Sequence, residues 1–180
     1  MTTIEIPAGT WNVDPAHSRV GFVARHMMVT KVRGHFKEYT AEVTVAENPL
    51  ESSVRATVQM DSVDTGNPDR DGHLRTNDFF DIETHPTMTF VSTGFTPGAD
   101  GAFVMTGDLT LKGVTKPVSF DCQFEGVGAD PWGGTRAGFS GTAVIDRTDF
   151  GVVYNAVLET GGVMLGDKVT IELDIQLVKA

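Results

Sequence analysis

The chain has 180 residues, 40% of them hydrophobic and 21% charged, a size and composition typical of one soluble globular domain, which we expect to span residues 1–180. Its formal net charge of −10 argues against nonspecific nucleic-acid binding, because such binding needs a basic surface. The single cysteine, Cys122, excludes an internal disulfide and a thiolate metal site, and its place on the apolar phase of an alternating segment favours a buried structural thiol.

The N-terminal residues 1–14 contain neither the basic segment nor the apolar segment of a signal peptide. No part of the chain approaches the about 20 consecutive apolar residues that a membrane-spanning helix requires. We therefore expect a cytoplasmic protein without stable insertion into a membrane.

Apolar and polar residues alternate along most of the chain, which is the period of a β-strand whose two faces differ. Short turns rich in Gly, Pro, Asn and Asp separate these segments, so sequential strands are expected to be antiparallel neighbours. The pattern predicts about eight strands, in the segments 18–26, 38–45, 54–60, 87–92, 101–112, 118–124, 135–146 and 167–179.

Each predicted strand has one apolar face, but the chain has almost no amphipathic helix to cover it. The sheet must therefore cover itself, and long strands in hairpin order favour an all-β, antiparallel up-and-down barrel over a sandwich. Small residues such as Gly107 and Gly141 recur on the inward phase. They allow two interpretations, either that empty volume remains inside the barrel or that glycine lets the strands bend.

The segment "DRDGHLRTNDFFD" at 69–81 breaks the alternation. We expect a short helix near 69–78, capped by Asp69, with Arg70 and Arg75 paired to acids and with Phe79 and Phe80 turned inward. The segment is then either a plug beside an internal space or a capped connection that closes a filled core.

No metal site or catalytic constellation is predicted. The histidines lack metal-binding spacings, and no GxSxG nucleophile motif is present. His26 and His35 lie on either side of a predicted turn, which leaves open an approach across a hairpin.

A basic cluster occupies 25–37, where four Lys or Arg residues and no acidic residue accompany Met27, Met28 and Phe36. Cations beside flexible apolar side chains suit a ligand with an anionic head and an apolar tail, although a solvated hairpin is the alternative interpretation. The candidate head-group contacts are Arg25, His26, Lys31 and Arg33.

Several motifs together resemble the YceI-like family in both order and spacing along nearly the whole chain. They are "WNVDPAHSRVGF" at 11–22, "RGHF" at 33–36, "RDGHL" at 70–74, "NDFFDIETHPTMTFVST" at 77–93, "GDLTLKGVTKPV" at 107–118 and "DRTDFGV" at 146–152. The resemblance implies a lipocalin-like eight-stranded barrel that holds a long amphiphile, such as a polyisoprenoid, a polyprenyl phosphate or an isoprenoid quinone, in an elongated cavity. It also implies fold-holding roles for Trp11, Asp14, His17, Ser18, Arg70, Asp71, Leu74, Arg147, Asp149, Phe150 and Gly151.

We therefore predict non-catalytic binding, sequestration or transport of a long apolar chain, with the lipid as the ligand and no cofactor or metal. The candidate lining residues are Val20, Phe22, Met27, Met28, Phe36, Val58, Met60, Leu74, Phe79, Phe80, Met88, Phe90, Phe120, Phe139 and Leu173. Two alternatives stay open: an enzyme that acts on a lipid through a buried polar pair, for example His26 with His35 or Asp146 with Arg147, and a solid-core interaction protein. A homodimer is also compatible with the sequence.

Overall fold

A computed structural model describes residues 4–27, 29–155 and 165–180. Within these ranges the strands are β1 Gly9–Val13, β2 Arg19–His26, β3 Thr30–Phe36, β4 Tyr39–Val45, β5 Ser53–Gln59, β6 Val63–Asp64, β7 Thr87–Pro97, β8 Ala102–Leu111, β9 Val114–Ala129, β10 Thr135–Asp146 and β11 Leu165–Lys179. One α-helix, α1, spans Pro68–Leu74, and one-turn 3-10 helices cover Pro15–His17, Pro49–Glu51, Met60–Ser62 and Arg147–Phe150.

These segments form a closed barrel of eight antiparallel strands. β1 and β2 both pair with β11, β4 pairs with β1, and β3 pairs with β2, so β1–β2 and β4–β3 are two long strands that are each interrupted once. β5 and β6 continue one another in the same way beside β4 and β3. The sequential hairpins from β5 through β7, β8, β9 and β10 to β11 complete the ring, which confirms the predicted fold.

The interruption between β1 and β2 has a local cause. Pro15 has no backbone N–H for the ladder, and the Asp14 carboxylate accepts a hydrogen bond from the Ala16 N–H at 3.0 Å, which starts the one-turn helix. The barrel thus has two distinct ends. The end that carries the β2–β3 turn and α1 is called the helix end here, and the end where β1 begins and β11 finishes is called the far end.

Helix α1 is held in place differently from the sequence prediction. Asn67, not Asp69, caps it, because its side-chain oxygen accepts from the N–H groups of Asp69 and Arg70, each at 3.1 Å. Pro68 at the first helical position has no N–H to satisfy. The helix ends at Leu74, and turns rather than helix follow it.

The two arginines of this segment hold it against the barrel in different ways. Arg75 forms the predicted ion pair, with Nε 3.0 Å from Asp61 Oδ1. Arg70 donates to the hydroxyl and carbonyl oxygens of Thr65 at 2.7 and 2.8 Å. Among the described residues it has no acidic partner, and its bonds to Thr65 fasten the segment instead.

Inward glycines serve a purpose that neither sequence interpretation described. A Cβ built on Gly34 would lie 2.4 Å from the ring of Phe22, and one built on Gly107 would lie 2.4 Å from the ring of Phe90 and 2.5 Å from the carbonyl oxygen of Val91. Each glycine therefore gives its space to a phenylalanine ring from the neighbouring strand. The space beside each of these two glycines is therefore occupied by a ring.

A charged cluster ties the interruption after β1 to two other parts of the wall. Arg136 donates from Nη1 to Asp14 Oδ2 and to Gln176 Oε1, both at 2.7 Å, and from Nε to Asp130 Oδ2 at 2.9 Å. The hydrogen bonds from Arg136 and His17 hold the pKa of the Asp14 carboxyl well below its usual range, at about 2. One guanidinium thus connects β1, β11 and the β9–β10 turn.

We expect Gly107→Ala to destabilise the protein by about 1–3 kcal/mol, because the added methyl group overpacks the wall against a ring and a backbone oxygen. Gly94→Ala is the matched control, since a Cβ there meets no atom within 4 Å and the backbone is not left-handed. Denaturant unfolding of both variants measures the difference. Equal midpoints for the two variants would contradict the close approach.

The Asp14 carboxylate should make stability depend on pH in the acid range. Its pKa is about 2 in the folded protein against about 3.9 in an unfolded chain, so its contribution is present above about pH 4 and is lost as the pH falls toward 2. Asp14→Asn should flatten the loss of unfolding free energy over this range, whereas Asp121→Asn, at an exposed position on β9, should not. A steep acid loss retained by Asp14→Asn would refute the assignment.

Candidate functional site

The inward side chains do not fill the barrel. Two apolar chambers remain, one of about 210 Å³ toward the far end and one of about 250 Å³ toward the helix end. Val20, Met88 and Ile171 line both chambers, so the chambers meet end to end at these residues. The interior is an elongated apolar space and not a solid core.

The far-end chamber is bounded by inward residues of nearly every long strand. At its outer limit lie Ile4, Ile6, Pro49 and Leu50. Beside it, Trp11 is fully buried and donates its indole N–H to the Pro7 carbonyl at 3.0 Å. The other apolar lining residues include Val43, Val45, Val58, Phe90, Phe95, Phe103, Met105, Leu109, Phe120, Phe139, Leu173, Ile175 and Leu177.

The helix-end chamber is lined by aromatic rings from β2, β3 and the segment after α1. The ring centroid of Phe36 lies 5.6 Å from that of Phe22 and 6.2 Å from that of Phe80, while Phe79 packs edge-on against Tyr154 at 5.2 Å. Phe79 and Phe80 both line the chamber. Space remains beside them, so the segment that follows α1 is a plug over a cavity rather than the floor of a filled core.

Cationic and imidazole side chains border the helix-end chamber alone. Arg70, His26, His73 and Arg147 contribute to its lining, whereas the described lining of the far-end chamber contains no Asp, Glu, Lys, Arg or His. His73 is fixed by Asp78, whose Oδ2 lies 2.9 Å from its Nε2. The elongated space is therefore apolar throughout but electrically asymmetric from end to end.

Arg147 is the most buried of these cations, at 7% exposed. It donates from Nη1 to the carbonyl oxygens of Val152 and Tyr154, at 2.7 and 3.0 Å, and from Nε to that of Gly166 at 2.9 Å. Burial lowers the pKa of the guanidinium, while the charge of Asp167, 3.8 Å from Nη2, acts in the opposite direction. Its main contacts thus hold the wall together, in agreement with the fold-holding role that the resemblance implies.

Most of the predicted lining residues come together in the interior. Met27 does not line either chamber; it lies at the tip of the β2–β3 hairpin with 45% of its surface exposed. Met28 lies outside the described residues. The predicted residues that line a chamber are Val20, Phe22, Phe36, Val58, Met60, Leu74, Phe79, Phe80, Met88, Phe90, Phe120, Phe139 and Leu173.

The four candidate head-group residues separate onto two faces of the hairpin. His26 lines the helix-end chamber, but Arg25, Lys31 and Arg33 are exposed because they have the opposite phase of the strand period. Arg33 Nη1 lies 3.6 Å from Glu172 Oε1 on β11. The sheet therefore stands between these three cations and the interior.

Sequence reasoning missed several lining residues, and Phe95 shows why. A register shift between Ser92 and Gly94 inserts an irregularity into β7, so the apolar phase changes from even to odd positions along the strand. The alternation up to residue 92 therefore does not extend to Phe95. Met105 and Leu109, in contrast, follow the regular phase of β8 and could have been found by extending the alternation.

The pairs proposed for a lipid enzyme do not form. The hairpin register pairs His35 with Gly21 and His26 with Thr30, so the two histidines lie at opposite ends of the hairpin. Asp146 turns to its own one-turn helix, where it accepts from the Thr148 N–H at 2.9 Å, while Arg147 is buried. Among the described residues, no three His, Cys, Asp or Glu side chains are placed to hold a metal ion.

A family model described as a YceI-like domain matches residues 11–177. The chain belongs to the YceI-like family. A UPF0312 protein of Staphylococcus epidermidis is 41% identical to it over 164 residues, which are 90% of this YceI-like chain and 93% of that relative. A UPF0312 protein of Pseudomonas aeruginosa is 42% identical over 137 residues, 76% of this chain and 71% of that relative.

Solved structures share the barrel. BcnA of Burkholderia cenocepacia superposes with a TM-score of 0.79 at 28% identity, covering 93% of this YceI-like chain and 99% of that chain. A YCEI protein of Campylobacter jejuni gives 0.75 at 28% identity over 100% and 99% of the two chains. A polyisoprenoid-binding domain of Saccharophagus degradans gives 0.71 at 15% identity over 94% and 98%, which shows a common fold. No helix formed by the described residues has the length and apolar character needed to cross a bilayer.

Cys122 lies in the lining of the far-end chamber. The reactivity of its thiol therefore tests whether the chamber excludes water. Burial raises the pKa of its thiol to about 11, so we expect a maleimide to label the folded protein at least about a hundredfold more slowly at pH 8 than the same chain unfolded in guanidinium. The folded rate should rise about tenfold per pH unit toward pH 11. Fast labelling near neutral pH would contradict the apolar surroundings of this thiol.

Proposed function

We propose that this YceI-like protein binds a long apolar chain with a small polar head inside its barrel and does not change it chemically. The observation that carries the proposal is the pair of adjacent apolar chambers, whose linings share Val20, Met88 and Ile171. Their volumes of about 210 and 250 Å³ together give about 460 Å³, within the range of about 300–1,000 Å³ that is usual for small-molecule sites. The elongated shape favours a linear ligand over a compact one.

The energetics of burial set a minimum length for the tail. Each methylene group transferred from water gains about 0.8 kcal/mol, so ten buried carbons gain about 8 kcal/mol, which is comparable to the association cost of about 4–15 kcal/mol. A tail of two isoprene units is therefore marginal. A tail that extends through both chambers gains enough to bind stably.

The distribution of charge supports one orientation of the ligand. His26, Arg70, His73 and Arg147 border the helix-end chamber, so a polar or anionic head is favoured there and the tail extends toward Leu50 at the far end. Polar groups in an apolar site fix the orientation of a ligand because they lose free energy when left unpaired. Of the four sequence candidates, His26 is the one we retain as a head-group contact.

We assign the ligand to the isoprenoid lipids, with a polyprenyl phosphate or an isoprenoid quinone as its form, and the role to sequestration or transport. The neighbour from Saccharophagus degradans is described as a polyisoprenoid-binding domain, but at 15% identity it supports the shared barrel rather than the ligand. The dimensions and apolar walls of the chambers support the assignment. Of the pairs weighed from the sequence, His26 and His35 lie at opposite ends of the hairpin, and Asp146 and Arg147 bond to backbone groups of the wall.

The function is tested by extracting the purified protein with organic solvent and analysing the extract by mass spectrometry. A linear isoprenoid in stoichiometric amount is the expected result, and delipidated protein should take it up again. Failure of the delipidated protein to take up any isoprenoid would overturn the proposal.

Val20→Trp tests whether one tail uses both chambers. A ring at position 20, on the wall that the two chambers share, should block a tail that extends from one chamber into the other. The affinity for a long isoprenoid should fall at least about tenfold, because about two or more methylene groups are no longer buried. Val144→Trp is the matched control, since Val144 is 64% exposed on the outer face of β10. Uptake is measured by competition with a fluorescent isoprenoid, and thermal unfolding of both variants verifies folding. Equal affinity in the two variants would exclude a continuous tail site.

A further inference from the structure

The β2–β3 hairpin has a charge opposite to that of the protein as a whole. Residues 19–37 contain five of the 14 Lys and Arg residues and none of the 24 acidic residues, although the whole chain has a net charge of −10. In the structure this segment forms the antiparallel pair β2–β3 and its turn at the helix end of the barrel. A local positive surface thus projects from an otherwise acidic molecule.

The arrangement of these cations does not serve the stability of the fold. Arg25 and Lys31 lie directly opposite each other in the β2–β3 register, and like charges in that position repel. Both side chains are exposed, and among the described residues neither forms an ion pair with an acid. Arg33 and Lys37, farther from the turn, are each near an acid, Glu172 and Asp64 respectively. The uncompensated charge is therefore concentrated at the hairpin tip.

Apolar side chains are exposed at the same tip. Met27 is 45% exposed and Val29 is 77% exposed. Met27 also has a left-handed backbone with φ of 54°, a conformation that is uncommon for a bulky residue and costs free energy. Two exposed apolar side chains between two cations that have no acidic partner among the described residues match the composition of segments that enter the interface of a bilayer.

A third exposed apolar side chain lies at the helix end of the barrel. Val153 is 64% exposed and stands two residues before Asn155, whose side-chain amide bonds both backbone groups of Leu165 at 2.7 and 2.9 Å. Leu165 in turn pairs with His26 of β2. Val153 is therefore exposed at the helix end of the barrel, the end that also carries the hairpin tip.

We propose that the β2–β3 hairpin tip docks on the surface of an anionic lipid bilayer, with Met27 and Val29 inserted among the lipids and Arg25 and Lys31 contacting lipid phosphates. Charge complementarity selects this partner, because each Lys or Arg near an anionic leaflet adds attraction to the apolar contribution. The docked orientation brings the helix-end chamber, which His26 of the same hairpin lines, next to the bilayer. In that orientation a ligand can pass between the chamber and the bilayer. Only this passage rests on the proposed function.

The far end of the barrel offers a less suitable surface for the same partner. Trp132 is 81% exposed there and Leu50 is 40% exposed, so apolar side chains are present. Glu51 is next to Leu50, however, and the cation near Trp132, Arg136, is already paired with Asp130. This end therefore offers less attraction to an anionic leaflet.

The test uses the purified full chain and sedimentation with vesicles of phosphatidylcholine alone or mixed with phosphatidylglycerol. We expect binding to the mixed vesicles, loss of that binding as NaCl rises from about 0.05 to about 0.5 M, and little binding to phosphatidylcholine alone. The double variant Arg25→Glu/Lys31→Glu should bind mixed vesicles at least about thirtyfold more weakly, from the attraction of two basic residues to the leaflet. Arg55→Glu, at an exposed position on the wall of β5, should bind as the native protein does.

Two further variants separate the tip from other apolar surfaces. Val29→Asp should weaken binding to mixed vesicles, whereas Val127→Asp, at a 43% exposed position toward the far end of β9, should not. Loss of binding in Trp132→Ala with no loss in Val29→Asp would overturn the proposal in favour of docking through the far end. Equal binding to both vesicle types, or the absence of binding to either, would also overturn it. Isoprenoid retention, measured on the same preparations, reports the proposed function separately, because vesicle binding requires no loaded ligand.

Discussion

The pairing of β11 with strands on both of its sides is the constraint on which the rest of the structure depends. β11 pairs with β10 along most of its length and with both β1 and β2 on its other edge, so the sheet closes and leaves no open edge in the ring. Closure fixes the perimeter, since neighbouring strands must stay about 4.7–4.9 Å apart to keep their hydrogen bonds. The inward side chains then have to occupy a volume that the backbone has already set. Trp11 and the Phe79–Phe80 pair occupy it toward the two ends, and the chambers remain between them.

The same period of two that shapes the interior also shapes the outside of the hairpin. On β2 and β3 the inward phase carries Phe22 and His26, whereas the outward phase carries Arg25, Lys31 and Arg33. The sheet therefore separates a chamber-facing set of residues from a solvent-facing set that alternates with it in the sequence. A single hairpin can in this way serve both the chamber and a surface outside it, and the basic cluster that looked like one site in the sequence divides into two.

The closed barrel and most of its lining could be predicted from the sequence, because alternation identifies the inward phase wherever a strand is regular. Val58, Phe120 and Leu173 are such positions. What could not be predicted depends on contacts between distant segments or on local irregularities. Three features are of this kind: the register that separates His26 from His35, the change of phase before Phe95, and the choice of Asn67 over Asp69 as the cap. None of them can be recognised from the pattern of residues along the chain. The individual ligand contacts stay a prediction.

The volume that the inward side chains leave unfilled is large enough to lower the stability of the folded barrel. Cavities left in apolar cores cost about 24 cal/mol per Å³, so chambers of about 460 Å³ together correspond to a cost on the order of 10 kcal/mol on that scale. A domain has only about 5–15 kcal/mol of net stability, which makes the empty interior a large destabilising feature. Larger side chains at Val20 or Ala56 would reduce it without breaking a backbone hydrogen bond. An apolar ligand that fills the chambers offsets the same cost, and because it binds the folded state alone it stabilises that state by mass action. The chambers that the side chains leave unfilled are therefore better explained by a ligand than by the packing of the barrel.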